Sequence, residues 1–328
     1  MSKCLGCGVT LQNNDINKLG YIKNVNGELC ERCFRIRNYN DYKFVIKDNN
    51  DYINILKNIS KTNSLVILVV DLFNISYYLK DINKYINNDI LLVLSKRDIL
   101  PKSCYDKKFI EYFKDYGLNI IDSIVISSNK NYNIDNLYNM INKYKIGKDV
   151  YVIGFTNSGK STLINKIIYN YSDNDTVITT SNLPSTTIDS INIKVNDSLT
   201  LVDTPGLLDL GDISNNVDGK TLKHIIPSKE IKPITYQIKS NQTVLIEDLA
   251  KINISKDTSM TLYISNNISL NRYYEEIDDL NKEKKYVLNV PNDSDVVIQG
   301  LGFIKFTKAC NVVVYTNKAS VFIRKNLI

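Results

Sequence analysis

The octet Gly154-Phe155-Thr156-Asn157-Ser158-Gly159-Lys160-Ser161 does most to narrow the folds open to this 328-residue chain. It has the form Gly-x4-Gly-Lys-Ser and stands between a strand-like apolar run at 151–153 and a helical stretch at 162–169. In that setting the glycines let backbone N–H groups turn inward around phosphates, and the positive end of the following helix adds to the field. Gly154, Ser158, Gly159 and Thr162 belong to the cradle, Lys160 reaches the β- and γ-phosphates, and Ser161 ligates Mg²⁺. Apolar runs at 65–71, 90–94, 120–126, 150–153 and 199–202 read as buried parallel strands, with a helix over 134–144. Polar residues follow the end of each run, where open α/β sheets bind ligands.

Four companion segments accompany the loop, and their order is unusual. Ser95-Lys96-Arg97-Asp98 and Ser127-Ser128-Asn129-Lys130 precede it; Pro184-Ser185-Thr186-Thr187 and Asp203-Thr204-Pro205-Gly206 follow it. Asp98 can accept from guanine N1–H and N2–H₂ while repelling adenine N1, and Lys96 can lie along the base plane. Ser127 and Ser128 form the second base loop, where the Ser128 backbone N–H faces the base oxygen. Thr187 best fits the first-switch threonine, with Thr186 the alternative. Asp203 partners Mg²⁺ through water, and Gly206 donates its N–H to the γ-phosphate. This is the motif set of a GTPase binding GTP and GDP, but with the base-reading loops first. The fold class expected is therefore α/β, with a circularly permuted P-loop GTPase core, and the second switch leads directly into whatever follows.

Two departures shape the expected chemistry. Ser95 replaces the usual Asn of the base-reading tetrad, and one lost hydrogen bond is worth about 0.5–1.5 kcal/mol. Leu207 stands where a water-orienting glutamine would follow the second switch, which predicts slow intrinsic turnover. Asn157 gives the loop the form Gly-x-x-Asn-x-Gly-Lys-Ser, similar to potassium-activated GTPases, in which K⁺ supplies transition-state charge. Lys160, Thr187 and Asn157 are the expected catalytic residues.

Outside the core, Cys4-x2-Cys7-x22-Cys30-x2-Cys33 has the spacing of a closed four-thiolate Zn²⁺ site. Zinc binding would supply on the order of 10–16 kcal/mol to a region with little core of its own. Arg32, Arg35, Arg37 and Lys43, interleaved with Phe34, Tyr39 and Tyr42, suit RNA phosphates and bases about as well as they suit a solvated basic face. The expected domains are a zinc module at 1–48, the GTPase domain at 49–225 and a β-rich α+β domain at 226–328. Asp48-Asn49-Asn50-Asp51 reads as a linker, and 273–285 as a charged helix. Residues 1–48 carry 8 basic and 5 acidic side chains, 49–225 carry 19 and 19, and 226–328 carry 14 and 11. Both flanks are thus net basic around a neutral centre, as expected if they meet RNA. The longest apolar run, at 65–70, falls far short of the roughly 20 residues of a membrane helix. With no room for a leader before Cys4, the expectation is a soluble, cytoplasmic protein. Cys104, Cys310 and His224 read as structural.

The chain resembles the YqeH-type circularly permuted GTPases, factors of small ribosomal subunit assembly. The resemblance is carried by Cys4-Leu5-Gly6-Cys7-Gly8, Cys30-Glu31-Arg32-Cys33-Phe34-Arg35, the permuted order, Pro184-Ser185-Thr186-Thr187, Ile231-Lys232-Pro233 and Gly300-Leu301-Gly302. It departs at Ser95, at Asn38 and at Ser185. It implies a zinc-ribbon-like amino-terminal module, a permuted GTPase core and a β-rich carboxyl-terminal domain that binds RNA, with the small ribosomal subunit or its rRNA precursor as partner. Competing readings are a constitutive zinc-dependent RNA-binding protein with little nucleotide turnover and a P-loop metabolic enzyme.

Overall fold

The computed structural model describes residues 11–14, 21–22, 27–28, 49–172, 178–182, 189–277 and 283–328. Two compact units divide the chain. The first comprises Met1–Val70, Lys80–Ser95 and Tyr116–Leu208; the second comprises Asp71–Leu79, Lys96–Asp115 and Asp209–Ile328.

The first unit is built on a seven-stranded sheet in the order β3-β2-β1-β4-β7-β6-β5. Its strands are β1 (Val66–Asp71), β2 (Ile90–Ser95), β3 (Ile120–Val125), β4 (Asp149–Gly154), β5 (Ile178–Asn182), β6 (Asp189–Asn196) and β7 (Leu199–Asp203). β1 and β2 are continuous apolar runs with every residue buried, as a strand covered on both faces demands. β1 pairs β4, β4 pairs β7 and β2 pairs β3, all in parallel. β6 and β5, which no continuous apolar run announces, extend the sheet antiparallel beyond β7.

Helix α1 (Asn49–Ile59) begins inside the stretch expected to be a linker. Asn and Asp favour helix starts as well as turns, and Ile55, Leu56 and Ile59 behind them are fully buried, so packing decides for helix. α3 (Ile134–Tyr144) buries Ile134, Leu137 and Ile141, one stripe at helical spacing. α4 (Lys160–Tyr171) buries Leu163, Ile164 and Ile167, packing on β4, β6 and α3. These apolar faces join strand residues such as Ile67, Val93, Val152 and Leu201 in one core.

The second unit holds the short helices α2 (Asp106–Tyr112) and α5 (Gly219–Ile225) and two five-stranded sheets. One has the order β12-β9-β10-β16-β13, from β12 (Leu270–Tyr273), β9 (Gln242–Ile246), β10 (Ala250–Ile254), β16 (Cys310–Tyr315) and β13 (Lys285–Val290). The other runs β17-β14-β15-β11-β8, from β17 (Val321–Lys325), β14 (Ser294–Ile298), β15 (Gly302–Phe306), β11 (Thr258–Ile264) and β8 (Ile234–Ile238). All their pairings are antiparallel. Val244, Ile252 and Val314 of the first sheet share a core with Met260, Leu262, Val296 and Phe306 of the second. Among the described residues after Ile225 there are strands and no helix, so the α+β expectation for 226–328 is corrected to β.

The helix expected over 273–285 is likewise overturned. Tyr273 ends β12, Lys285 begins β13, and residues 274–277 and 283–284 are not helical. Tertiary hydrogen bonds hold this stretch open: Thr243 Oγ1 donates to Glu275 O and accepts from Ile277 N, and Asn253 Nδ2 reaches Glu276 and Ile277 O. Among the described residues no helix is long and apolar enough to cross a membrane.

Candidate nucleotide-binding site

Four parallel strands carry candidate residues at or just past their carboxyl ends: Ser95 on β2, Ser127 after β3, the phosphate loop after β4 and Asp203 on β7. Gly154 closes β4 where no side chain fits. A Cβ there would lie 2.6 Å from Val69 O and 2.8 Å from Ser158 Oγ. Asn157 (φ 62°) and Gly159 (φ 91°) supply the left-handed turns that curl the loop before α4 begins at Lys160. Gly takes this conformation freely, and Asn is among the few other residues that take it at small cost.

Lys160 is only 7% exposed, and its ammonium donates to the Asp203 carboxylate and the Thr204 carbonyl. Asp203 is fully buried. Thr204 Oγ1 donates to Val152 O at 2.9 Å. Leu207 N donates to Gly154 O at 3.0 Å and Thr156 N to Leu207 O at 2.7 Å. The second switch is thus laced onto the phosphate loop by backbone bonds, and a Cβ on Gly206 would come within 3.3 Å of Thr156. Mg²⁺ prefers hard oxygen ligands, and the Ser161 hydroxyl and Asp203 carboxylate are of that kind.

Ser95 does something the motif alone does not indicate. It is 3% exposed, and its Oγ lies 2.5 Å from Ser158 O and 3.2 Å from Val70 O. A hydroxyl has one proton to donate, and the shorter distance assigns it to Ser158 in the phosphate loop. Ser95 therefore positions the loop. Ser95→Ala is expected to leave the Ser158 carbonyl short of a partner, costing about 1–3 kcal/mol. Calorimetry should show a lower Tm and weaker GDP binding; no change in either would remove this role.

Lys96, with φ 59°, places its ammonium 2.7 Å from Asp71 Oδ2, and Asp71 Oδ1 accepts from Phe73 N at 2.9 Å. Asp71 was not singled out by motif, although a buried strand ending in Asp is a usable signal. Arg97 is structural: it binds Asp106 Oδ1 at 2.7 Å and the carbonyls of Leu100, Pro101 and Cys104. Asp98 is half-buried in the next position. Ser127 is buried, its Oγ accepts from Lys130 N at 3.1 Å, and its backbone bridges Tyr132, while Ser128 is half-buried. Thr187, Cys4, Cys7, Cys30 and Cys33 lie outside the described residues. Among the described residues no His, Cys, Asp and Glu side chains group as a metal site.

Sequence reasoning missed a network just past the second switch. Asp209, 4% exposed, accepts from Ser76 Oγ at 2.6 Å and Gly211 N at 3.0 Å, and burial holds its carboxyl above the usual range. Asp212 accepts from Asn74 Nδ2 at 2.5 Å and from Ser214 N at 2.8 Å. Asn74 Oδ1 in turn accepts from Gln299 Nε2 and from Gly300 N at 3.0 Å. Ile213 N donates to Gln299 O and Ser320 N to Gly211 O. Residues 209–213 are thereby fastened into the β-rich unit. His224 pairs with Glu247 at 3.1 Å, and burial pushes the Cys104 and Cys310 thiols up.

A mixed, mainly parallel sheet with a Gly-x4-Gly-Lys-Ser loop, its lysine on the Asp of an Asp-x-x-Gly, and Ser95-Lys96-Arg97-Asp98 earlier in the chain define a permuted P-loop GTPase. The RsgA GTPase family matches residues 45–212, and a family described as 50S ribosome-binding GTPase matches 149–290. The first match runs in sequence through Ser95, the phosphate loop and Asp203, so it shares the permuted order. YqeH of Bacillus subtilis is 35% identical over 361 aligned positions, 99% of each chain. NO-associated protein 1 of Arabidopsis thaliana is 27% identical over 245 positions, 63% of this chain but 44% of that relative. The chain belongs to the YqeH-type circularly permuted GTPases.

Proposed function

We propose that the protein is a GTP-hydrolysing switch in small ribosomal subunit assembly, binding rRNA through the regions that flank its nucleotide domain. In this reading Asp98 and Lys96 read guanine, Ser127 and Ser128 support it, and Lys160, Ser161, Thr187, Asp203 and Gly206 hold the phosphates and Mg²⁺. Cys4, Cys7, Cys30 and Cys33 hold a structural Zn²⁺, and the working compartment is the cytoplasm. The observation that carries the reading is the fastening of 209–213, directly after the second switch, to Gln299, Gly300 and Ser320. It supports a γ-phosphate-dependent change at Gly206 being felt in the β-rich unit.

The test is co-sedimentation of the full chain with separated small and large ribosomal subunits, in GDP and in a non-hydrolysable GTP analogue. GTP-dependent binding to the small subunit is expected. Binding to the large subunit alone, as the 50S designation of one matching family would suggest, would overturn the partner assignment. Ser95, whose hydroxyl is engaged by the phosphate loop, and Leu207 favour a second reading, a constitutive RNA-binding protein with little turnover. Binding that ignores the nucleotide would favour it.

Hydrolysis is expected to be slow and to accelerate when potassium replaces sodium, because Asn157 marks a monovalent-cation loop and no glutamine stands at Leu207. Phosphate release measured in both salts checks this. Asn157→Ala should erase the difference, and equal rates in the native protein would remove K⁺ from the mechanism.

A further inference from the structure

We propose that the cleft between the edge strands β8 and β12 binds one nucleotide of single-stranded RNA, with Tyr274 stacking the base and Arg272, Lys239 and Lys308 holding the flanking phosphates. The proposal rests on the RNA-binding reading above and gives it a site. A cavity of about 430 Å³ opens here, within the ~300–1,000 Å³ usual for small-ligand sites. Both sheets of the β-rich unit contribute, β8 and β11 from one and β9 and β12 from the other.

Arg272 is pre-set for an anion. Its Nε and Nη2 are engaged by Gln242 Oε1 at 3.1 and 2.7 Å, and Nη2 also donates to Gln237 O at 2.6 Å. These bonds fix the guanidinium plane, so a phosphate arriving at its remaining N–H groups meets a fork that has already lost its rotamer freedom. The guanidinium carbon lies over two tyrosine rings, 5.0 Å from the centre of Tyr274 and 5.6 Å from that of Tyr236. Tyr274 is 77% exposed, which leaves ring area for a base to stack.

Charge selects the ligand. Lys239, Arg272 and Lys308 line the cavity against a single acid, Asp257, whose Oδ1 already accepts from Ser240 N at 2.8 Å. Thr258, Ser259 and Gln237 line the cavity beside Ile238, with Gln237 Nε2 donating to Ser259 Oγ at 3.2 Å, so polar edges and an apolar side chain share its wall. An aromatic platform beside cations suits a splayed base better than a duplex, whose bases are stacked inside.

The test is fluorescence anisotropy of the full chain with a labelled 12-nucleotide single-stranded RNA and with the matching duplex, across a salt series. Tyr274→Ala should weaken single-strand binding roughly five- to 150-fold, the range for one lost base stack, and Tyr274→Phe should restore it. Lys308→Ala should reduce the salt slope by about one. Lys284→Ala, an exposed lysine outside the cavity, serves as the control. Equal losses for Lys284→Ala and Tyr274→Ala, or duplex bound as tightly as single strand, would overturn the site. If the native chain and all variants bind RNA alike, this pocket is wrong while the RNA-binding reading stands. If the native chain binds no RNA, both fail.

Discussion

Lys160→Ala is expected to remove measurable GTP and GDP binding and also to destabilise the first unit. The two effects have different causes. Binding loses the ammonium that meets the phosphates, a set of charge-assisted bonds worth about 1.5–3 kcal/mol each. Stability suffers because Asp203 is fully buried and Lys160 is its ion-pair partner. Removing one member of a buried pair costs about 3–5 kcal/mol, most of it the penalty of stranding the other charge. The double variant Lys160→Met with Asp203→Asn should therefore regain much of the lost Tm while nucleotide affinity stays absent. Titration calorimetry and thermal melts read the two effects separately. A Lys160→Ala protein with native affinity would refute the phosphate-loop assignment, and native Tm in that variant would refute the buried pair.

Gly300→Ala should uncouple the β-rich unit from the second switch. Gly300 has φ +82°, and a Cβ would fall 2.4 Å from Asp212 Oδ1 and 2.8 Å from Ile213 Cγ2. Asp212 cannot step aside cheaply, since Asn74 and Ser214 both bind it. The left-handed backbone costs about 1–2 kcal/mol with a Cβ present, and forced overpacking about 1–3 more. Gly302→Ala is the matched control: its Cβ would meet Tyr263 O at 2.3 Å, so it too should destabilise the β-rich unit, but away from 209–213. Both variants should melt early, yet only Gly300→Ala should lose the GTP dependence of ribosomal-subunit binding while retaining GTP hydrolysis. Loss of that dependence in both, or in neither, would show that the Gln299–Gly300 turn does not transmit the switch.

The parts of the fold that were legible in sequence are those with local causes. The runs at 65–71 and 90–94 read as strands because buried parallel strands leave unbroken apolar sequence. β5, β8 and β12 did not, because a strand at a sheet edge need not carry an unbroken apolar run; β12 alternates half-buried and exposed positions over only four residues. β6, though paired on both sides, alternates buried Ile191, Ile193 and Val195 with half-buried Asn192 and exposed Lys194. Asn49 and Asn50 misled because the same residue types open loops and helices, and only the buried Ile55 and Ile59 decide between them. The charged stretch at 273–285 misled in the opposite way, since its helix-forming composition yields to hydrogen bonds from Thr243 and Asn253.

The sequence by itself determined the phosphate loop, the order of the motifs and hence the permutation, because each depends on a few consecutive residues whose backbone geometry is set by glycine, charge and side-chain size. What Ser95 holds, which acid pairs Lys96, and where residues 209–213 are fastened were decided only by the tertiary structure. Ser95 meets Ser158 across 63 positions, Lys96 meets Asp71 across 25, and Gln299 meets Asn74 across 225. A hydrogen bond between residues so far apart leaves no period or spacing to read. It exists because the sheets bring those strand ends and turns together, where each buried polar group must find a partner.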